Sequence, residues 1–366
     1  MNFICNRSLL LREIAIAQEI ITSKNAISIL SNIYLSAEND TLTIKATDTK
    51  VNFETKIPVT VTEEGSTTVF GDKFLGILNS IPEGDLEFSQ EEAKITIKPS
   101  LKKIRFQLKS IASDKYPPFP VSSAPFFDVP VKDLKEMILH TIFAISDDET
   151  RYFMNGVFFE KENDKLVMVA TDGRRLAHSS KDIGGGIDDF AGIIVPPKIL
   201  NIVAKRAGNE GSVSVSVTDK TLFIRYGSYN LSSMLIEAQF PNYRRVIPES
   251  QDNIITVNRL EILEAIKRVS LMVELKSHRV YFDVNPGVMS IYSDENDIGE
   301  AKEEISCKYE GEKVSLSFNY RYVEDPLKVM DDEEISIRFG ELIKAVTIMP
   351  VPEKDFFHVI MPMQKD

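Results

Sequence analysis

The sequence predicts an α+β protein assembled from three copies of one unit of about 120 residues. Two observations carry this: an opening of strand, polar break and helix that occurs three times, and a run of alternating strands after each opening. A third supports it, since Ala46-Thr47-Asp48 and Ala170-Thr171-Asp172 place one tripeptide 124 positions apart. A period this long is too large for a stacked solenoid and fits repeated whole domains, over 1–122, 126–248 and 252–366.

The openings are Phe3 to Thr22, Phe127 to Ser146 and Ile255 to Glu274. In the first helix Leu10, Ile14, Ala17 and Ile21 fall on one face; Leu134, Ile138, Ile142 and Ile145 do so in the second, and Ile262, Ile266, Val269 and Val273 in the third. Alternating strands follow over Ile33 to Ile57, Asn155 to Ser179 and Val280 to Cys307, with turns at Glu38-Asn39-Asp40 and Glu162-Asn163-Asp164. A second helix is predicted near Asp72 to Ser80, Lys198 to Arg206 and Tyr320 to Met330. Pro326 lies inside the last of these, so that helix is expected to begin later or to kink. Further strands close each unit, with related junctions at Tyr116-Pro117-Pro118-Phe119-Pro120 and Gln239-Phe240-Pro241-Asn242-Tyr243.

Composition bounds the function. With 43% hydrophobic and 27% charged residues and no apolar run long enough to cross a bilayer, the chain reads as soluble, with no membrane partner. Two cysteines, Cys5 and Cys307, form no framework and favour a reducing cytoplasm. The net charge of −12 argues against a protein that coats nucleic acid, yet a local basic surface suffices for DNA. The six predicted helices hold 13 Lys/Arg against 9 Asp/Glu, whereas everything else holds 30 against 46. If the helices line one surface, that surface is mildly basic on an acidic protein, which suits sequence-independent phosphate contact.

No motif carries catalysis. The four histidines lack metal-ligand spacing and read as scattered structural or surface residues, and Gly184-Gly185-Gly186 lacks the setting of a phosphate loop and reads as a connector. Asp147-Asp148-Glu149 and Asp331-Asp332-Glu333-Glu334 fall in predicted turns, where solvated acidic loops are ordinary. The residues alone point to a non-enzyme without metal or cofactor, and leave open a metal-dependent hydrolase on those loops and a sequence-specific DNA-binding protein.

Four strings decide between these: Arg151 to Gly156 (RYFMNG), Ala170 to Ala177 (ATDGRRLA), Phe240 to Val246 (FPNYRRV) and Val359 to Met363 (VIMPM). Together with three repeats covering the whole chain they resemble the bacterial DNA polymerase III β subunit family, the sliding clamps. The resemblance implies that each repeat is two packed antiparallel sheets with two helices on one side. It also implies a homodimer closing into a six-domain ring around duplex DNA, helices inward. The function implied is that of a processivity factor, non-catalytic within the holoenzyme, loaded by a clamp loader and tethering the replicative polymerase α subunit, other polymerases and repair proteins through a short peptide.

The same resemblance implies residues. Lys24, Tyr152 and Lys198 are expected to touch DNA, with contact at the Asp148 loop in doubt. The peptide pocket would be lined by Met154, Thr171, Gly173, Arg174, Arg175, Leu176, Pro241, Arg245 and Val246, together with Ala345, Val359, Met361, Pro362 and Met363; Phe153, Asn319 and Tyr322 stand at its mouth. The extension Gln364-Lys365-Asp366 runs on beside it. Ring closure would set a basic strand carrying Lys102, Lys103 and Arg105, alternating with Ile104, Phe106 and Leu108, against Glu300, Glu303 and Glu304, with Leu271 and Met272 as apolar contact.

Overall fold

A computed structural model describes residues 1–21, 28–183, 190–274, 276–297 and 299–364. Among them lie six α-helices: α1 (Arg7–Ile20), α2 (Gly71–Ser80), α3 (Val131–Thr141), α4 (Pro197–Arg206), α5 (Arg259–Val269) and α6 (Tyr320–Val329). Lys24, the glycine run 184–186, Lys365 and Asp366 lie outside the described residues. The chain forms two compact units, Met1–Val131 with Lys198–Leu235, and Lys132–Pro197 with Ile236–Asp366. Each has its own antiparallel sheet, of thirteen and twelve strands among the described residues. The middle repeat contributes to both.

In the first unit the strand Val51–Pro58 of the first repeat pairs with Tyr229–Met234 of the second, in the register Phe53 to Leu231. Val51, Phe53, Thr55 and Ile57 face inward along that strand, the period-two pattern of a sheet with one buried face. The buried face of α1, with Leu10, Ile14, Ala17 and Ile20, covers the sheet beside Phe74 and Leu78 of α2. Phe3 and Phe88 stack beneath at 4.7 Å. Asn39 and Asp40 both have positive φ and close a two-residue hairpin, the conformation that short polar residues tolerate.

The second unit repeats the joint. Arg175–Asp182 of the middle repeat pairs with Phe356–Ile360 of the third, in the register Leu176 to Val359. Ile262, Ile266 and Val269 of α5 pack with Phe282, Phe318 and Leu327. Each such side chain contributes roughly 1.5–3 kcal/mol on burial.

One start device serves the first helix of each repeat. The N–H of Arg7, Val131 and Arg259 donates to the carbonyls of Gly84, Gly211 and Glu333, at 3.0, 3.0 and 2.9 Å. Asn6 and Asn258 cap α1 and α5 with side-chain oxygens. The arginine that follows reaches the end of the second helix: Arg7 donates to Leu78 O and Asn79 O, and Arg259 to Leu327 O and, past the helix, to Asp332 O. Orphan carbonyls at a helix C-terminus thereby gain charged donors.

Three sequence expectations are corrected. The helices expected to end at Ile145 and Val273 end at Thr141 and Val269 and tighten into single 3₁₀ turns, Ile142–Ala144 and Ser270–Met272. The last helix does not begin after Pro326: it starts at Tyr320, capped by Asn319, and runs through the proline, whose ring is buried with Val323 and Leu327. That burial and the cap offset the one missing hydrogen bond. Lys102, Lys103, Ile104 and Arg105 are not on the strand, which spans Phe106–Ile111. Phe106, opposite Ile97, is the last residue with a strand partner; Pro99, which would face Ile104 in this register, has no N–H to donate, and Ile104 N turns back to Lys102 O at 2.8 Å.

Candidate functional site

The site is built on the turn that the repeated tripeptide encodes. Thr171 Oγ1 donates to Arg175 O at 2.6 Å and accepts from Gly173 N at 3.0 Å, while Asp172 Oδ1 accepts from the N–H of Arg174 and Arg175. Gly173 sits at φ +86, and a Cβ there would stand 3.2 Å from the Arg151 guanidinium. The first repeat makes the same turn: Asp48 Oδ1 accepts from Lys50 N and Val51 N, and Thr47 Oγ1 from Thr49 N. Short side chains that hydrogen-bond their own backbone explain why the string recurs.

Arg175, expected in the pocket lining, is an internal clamp. Its Nε meets Asp172 Oδ2 at 3.0 Å, Nη1 meets Asp325 Oδ2 of α6 at 2.7 Å, and Nη2 donates to Phe143 O at 2.6 Å. The guanidinium also lies 4.7 Å from the Tyr322 ring centre. Its donors are committed to holding α6, the turn and the end of the second repeat's first helix together.

Beside this clamp, Leu176 and Val359 face each other and join a small apolar cluster with Val169, Phe240 and Tyr243, against which Phe153 and Ala345 pack. Met154 is buried next to Gly173. Met361 N donates to Arg174 O at 3.0 Å and Met363 N to Ser317 O at 2.8 Å, so the last segment bridges two strands with Met361 still 44% exposed. Arg174, Asn319, Tyr322, Met361, Pro362 and Met363 share the wall of a groove of about 520 Å³. Pro241 is half-buried, and Arg245 and Val246 stand exposed on the segment after Phe240.

Other residues of this region escaped the sequence reading. Lys276, Ser277, His278 and Arg279 form the far wall of the groove, brought there because Arg279 pairs with Asn319 and Tyr320 N donates to His278 O. No sequence signal marks a cross-strand neighbour of that kind. Leu342 and Ile343, 47% and 68% exposed, line an adjoining hollow of about 340 Å³ with Pro362, Met363 and Gln364. Here a signal existed: two large aliphatic residues between Glu341 and Lys344, outside any strand.

The histidines also gather. His140, His178 and His358 lie at this junction, stacked or tilted against Phe356, Phe357 and Phe143. Burial lowers all three, His140 and His178 to about 4 and His358 to about 3, with Arg175 further disfavouring the His358 cation. Neither ring nitrogen of His358 has a hydrogen-bond partner among the described residues.

The equivalent joint of the first unit has the same framework and opposite polarity. Where Leu176 faces Val359, Asn52 faces Ser232, and Asn52 Nδ2 donates to Ser232 Oγ at 3.0 Å while Thr47 Oγ1 donates to Asn52 Oδ1 at 2.7 Å. Satisfied amides and hydroxyls gain nothing from an apolar ligand. One cross-strand pair thus separates an apolar site from a closed polar ladder.

Two further groups were expected to act at surfaces. Tyr152 is 54% exposed, but the Lys198 ammonium donates to Asp48 Oδ2 at 2.6 Å and Ile20 O at 2.5 Å, which commits it to the protein. Asp148 caps the turn at Glu149–Met154, accepting from Thr150 Oγ1, from Thr150 N and from Arg151 Nε, contacts that lower its pKa. Two strands have one side largely free. Among the described residues Phe106 to Lys109, Leu108 included, pair only with Lys94–Pro99, and Lys302 to Ser306 only with Val288–Tyr292. Lys103 and Arg105 are exposed near the first; Glu300 and Leu271, 81% exposed, and half-buried Met272 belong to the unit holding the second. Glu303 and Glu304 are partly neutralised within the chain, by Arg268 at 2.6 Å and Lys302 at 3.3 Å.

Models of the DNA polymerase III beta subunit match as N-terminal domain over 1–120, central domain over 128–242 and C-terminal domain over 244–364. The beta sliding clamp of Treponema pallidum (strain Nichols) is 44% identical, with all of both chains covered. A crystal structure of the Pseudomonas aeruginosa sliding clamp bound to griselimycin superposes with a TM-score of 0.94 at 26% identity over all of both chains. The Bacillus subtilis sliding clamp does so at 0.93, again with 26% identity and complete coverage of both. The chain therefore belongs to the DNA polymerase III beta subunit family, the beta sliding clamps.

Proposed function

We propose that two copies of the chain close head to tail into a ring of six repeats around duplex DNA, and that the groove beside Leu176 and Val359 receives partner peptides. One observation carries the ring. The strand Val51–Pro58 pairs with the last strand of the next repeat, Tyr229–Met234, and Arg175–Asp182 pairs likewise with Phe356–Ile360. The equivalent strand of the third repeat is Lys302–Lys308, and the equivalent last strand of the first is Phe106–Ile111; each keeps one side largely free. Pairing them between copies gives the third repeat the partner its predecessors have and removes both edges.

Phe106, Leu108, Leu271 and Met272 then supply apolar contact, and Lys103 and Arg105 face Glu300, Glu303 and Glu304. The exposed cations of the helices meet phosphates weakly and without register, so linkage rather than affinity retains the ring on DNA. Tyr152 is a contact in this reading; Lys198 acts instead by holding the first joint.

For peptides, Met154, Thr171, Leu176, Pro241, Val246, Ala345 and Val359 form the apolar floor, with Met361 and Met363 as adaptable walls. Extended segments of polymerases, repair proteins and the loader are the occupants. Retention tests the ring: after loading, the protein stays on closed circular DNA and leaves linear DNA from its ends. Equal loss from both would reject it.

A further inference from the structure

We propose that the groove selects partner peptides whose apolar anchors are flanked by acidic residues, an inference that rests on the peptide-binding reading above. The lining of the groove of about 520 Å³ includes Arg174, Lys276 and Arg279, and no carboxylate among the described residues. The chain as a whole carries 55 Asp/Glu against 43 Lys/Arg, so a lining whose charged groups among the described residues are all cations runs against its general balance. The side chains of Arg174 and Lys276 have no ion-pair partner among the described residues, unlike Arg175 and Arg268 nearby in sequence, which are paired.

The wall is fixed rather than loose. Asp172 and Met361 hold the backbone of Arg174 on both sides, and Lys276 sits in a turn closed by His278 N donating to Glu274 O at 3.0 Å. Tyr320 N ties that turn to the start of α6. Burial and the nearby Arg321 lower the pKa of His278. The same lining holds Tyr322 and also Met361, Pro362 and Met363, which follow Val359 of the proposed floor along the last segment of the chain. A peptide seated by its apolar anchors would leave the next residue among these cations. Phosphate of DNA would find the same charges, but a half-apolar groove suits a peptide better than a polyanion.

The test compares three short synthetic peptides with identical leucine and phenylalanine anchors, flanked by Gln, by Asp or by Lys, by fluorescence anisotropy on the full-length protein. The Asp-flanked peptide should bind roughly three- to fivefold more tightly than the Gln-flanked one at low salt, the Lys-flanked one correspondingly more weakly. The ratio should collapse at high salt and fall towards one in Lys276→Gln, and Lys276→Glu should invert it. Equal affinity of Asp- and Gln-flanked peptides overturns the inference and leaves the pocket intact; failure of all three to bind overturns both. If a single-stranded oligonucleotide displaces the bound peptide and loses affinity in Lys276→Glu while Asp brings no gain, the groove is a phosphate site and the inference falls.

Discussion

Replacing Arg175 with methionine separates a clamp from a ligand contact. In the native chain the guanidinium satisfies Asp172, Asp325 and the Phe143 carbonyl, with its side chain 12% exposed and the two carboxylates 16% and 27% exposed. Removing one member of a buried pair costs about 3–5 kcal/mol, and partial exposure of Asp325 discounts this to about 2–3 kcal/mol. Spread over a unit of this size, that lowers the melting temperature by about 5–10 °C. A direct interface arginine would instead cost about 2 kcal/mol or more of binding, roughly a thirtyfold loss of peptide affinity. Thermal unfolding and anisotropy on the same variant give both numbers, and a double cycle with Asp325→Asn should show coupling of about 1–3 kcal/mol in stability. A variant with unchanged melting and a thirtyfold weaker peptide would refute the reasoning, because the guanidinium would then be acting on the ligand.

Leu176→Asp should abolish peptide binding by placing a charge in the apolar floor, with the dimer retained in sedimentation. Lys103→Glu with Arg105→Glu should shift the protein towards monomer, more at low salt than at high; sedimentation velocity showing an unchanged dimer would count against the proposed closure. Lys198→Met should destabilise the first unit through loss of the Asp48 pair, by about 1–2 kcal/mol, read from its unfolding in urea, with little change in retention on circular DNA. The histidines predict acid lability. Their folded pKa values lie below the ordinary value of 6.5, so the unfolded chain binds more protons between about pH 6.5 and 4, and stability present above pH 6.5 is lost as pH falls through that window. His358→Phe should flatten the pH dependence of melting there, and an unaltered slope would show that His358 is not its source.

Much of this protein was legible in one dimension. Helix faces such as Leu10, Ile14 and Ala17 and the alternation of the strand ending at Ile57 are local, because each depends on residues a few positions apart. The Ala-Thr-Asp string was legible as a repeat but not as a turn, although that turn is local too, since its side chains bond their own backbone. The pocket residues were reached through resemblance rather than through pattern.

What only the tertiary structure decided is which distant groups meet. Arg175 and Lys198 read as available cations until Asp325 and Asp48, each 150 positions away, appear beside them. Three histidines spread over 219 residues read as scattered until strand pairing and α3 bring them to one junction. Leu176 opposite Val359, and Asn52 opposite Ser232, show the same division. Periodicity assigns each residue a face, but cross-strand register assigns its neighbour, and the neighbour decides whether that face is a binding floor or a sealed joint.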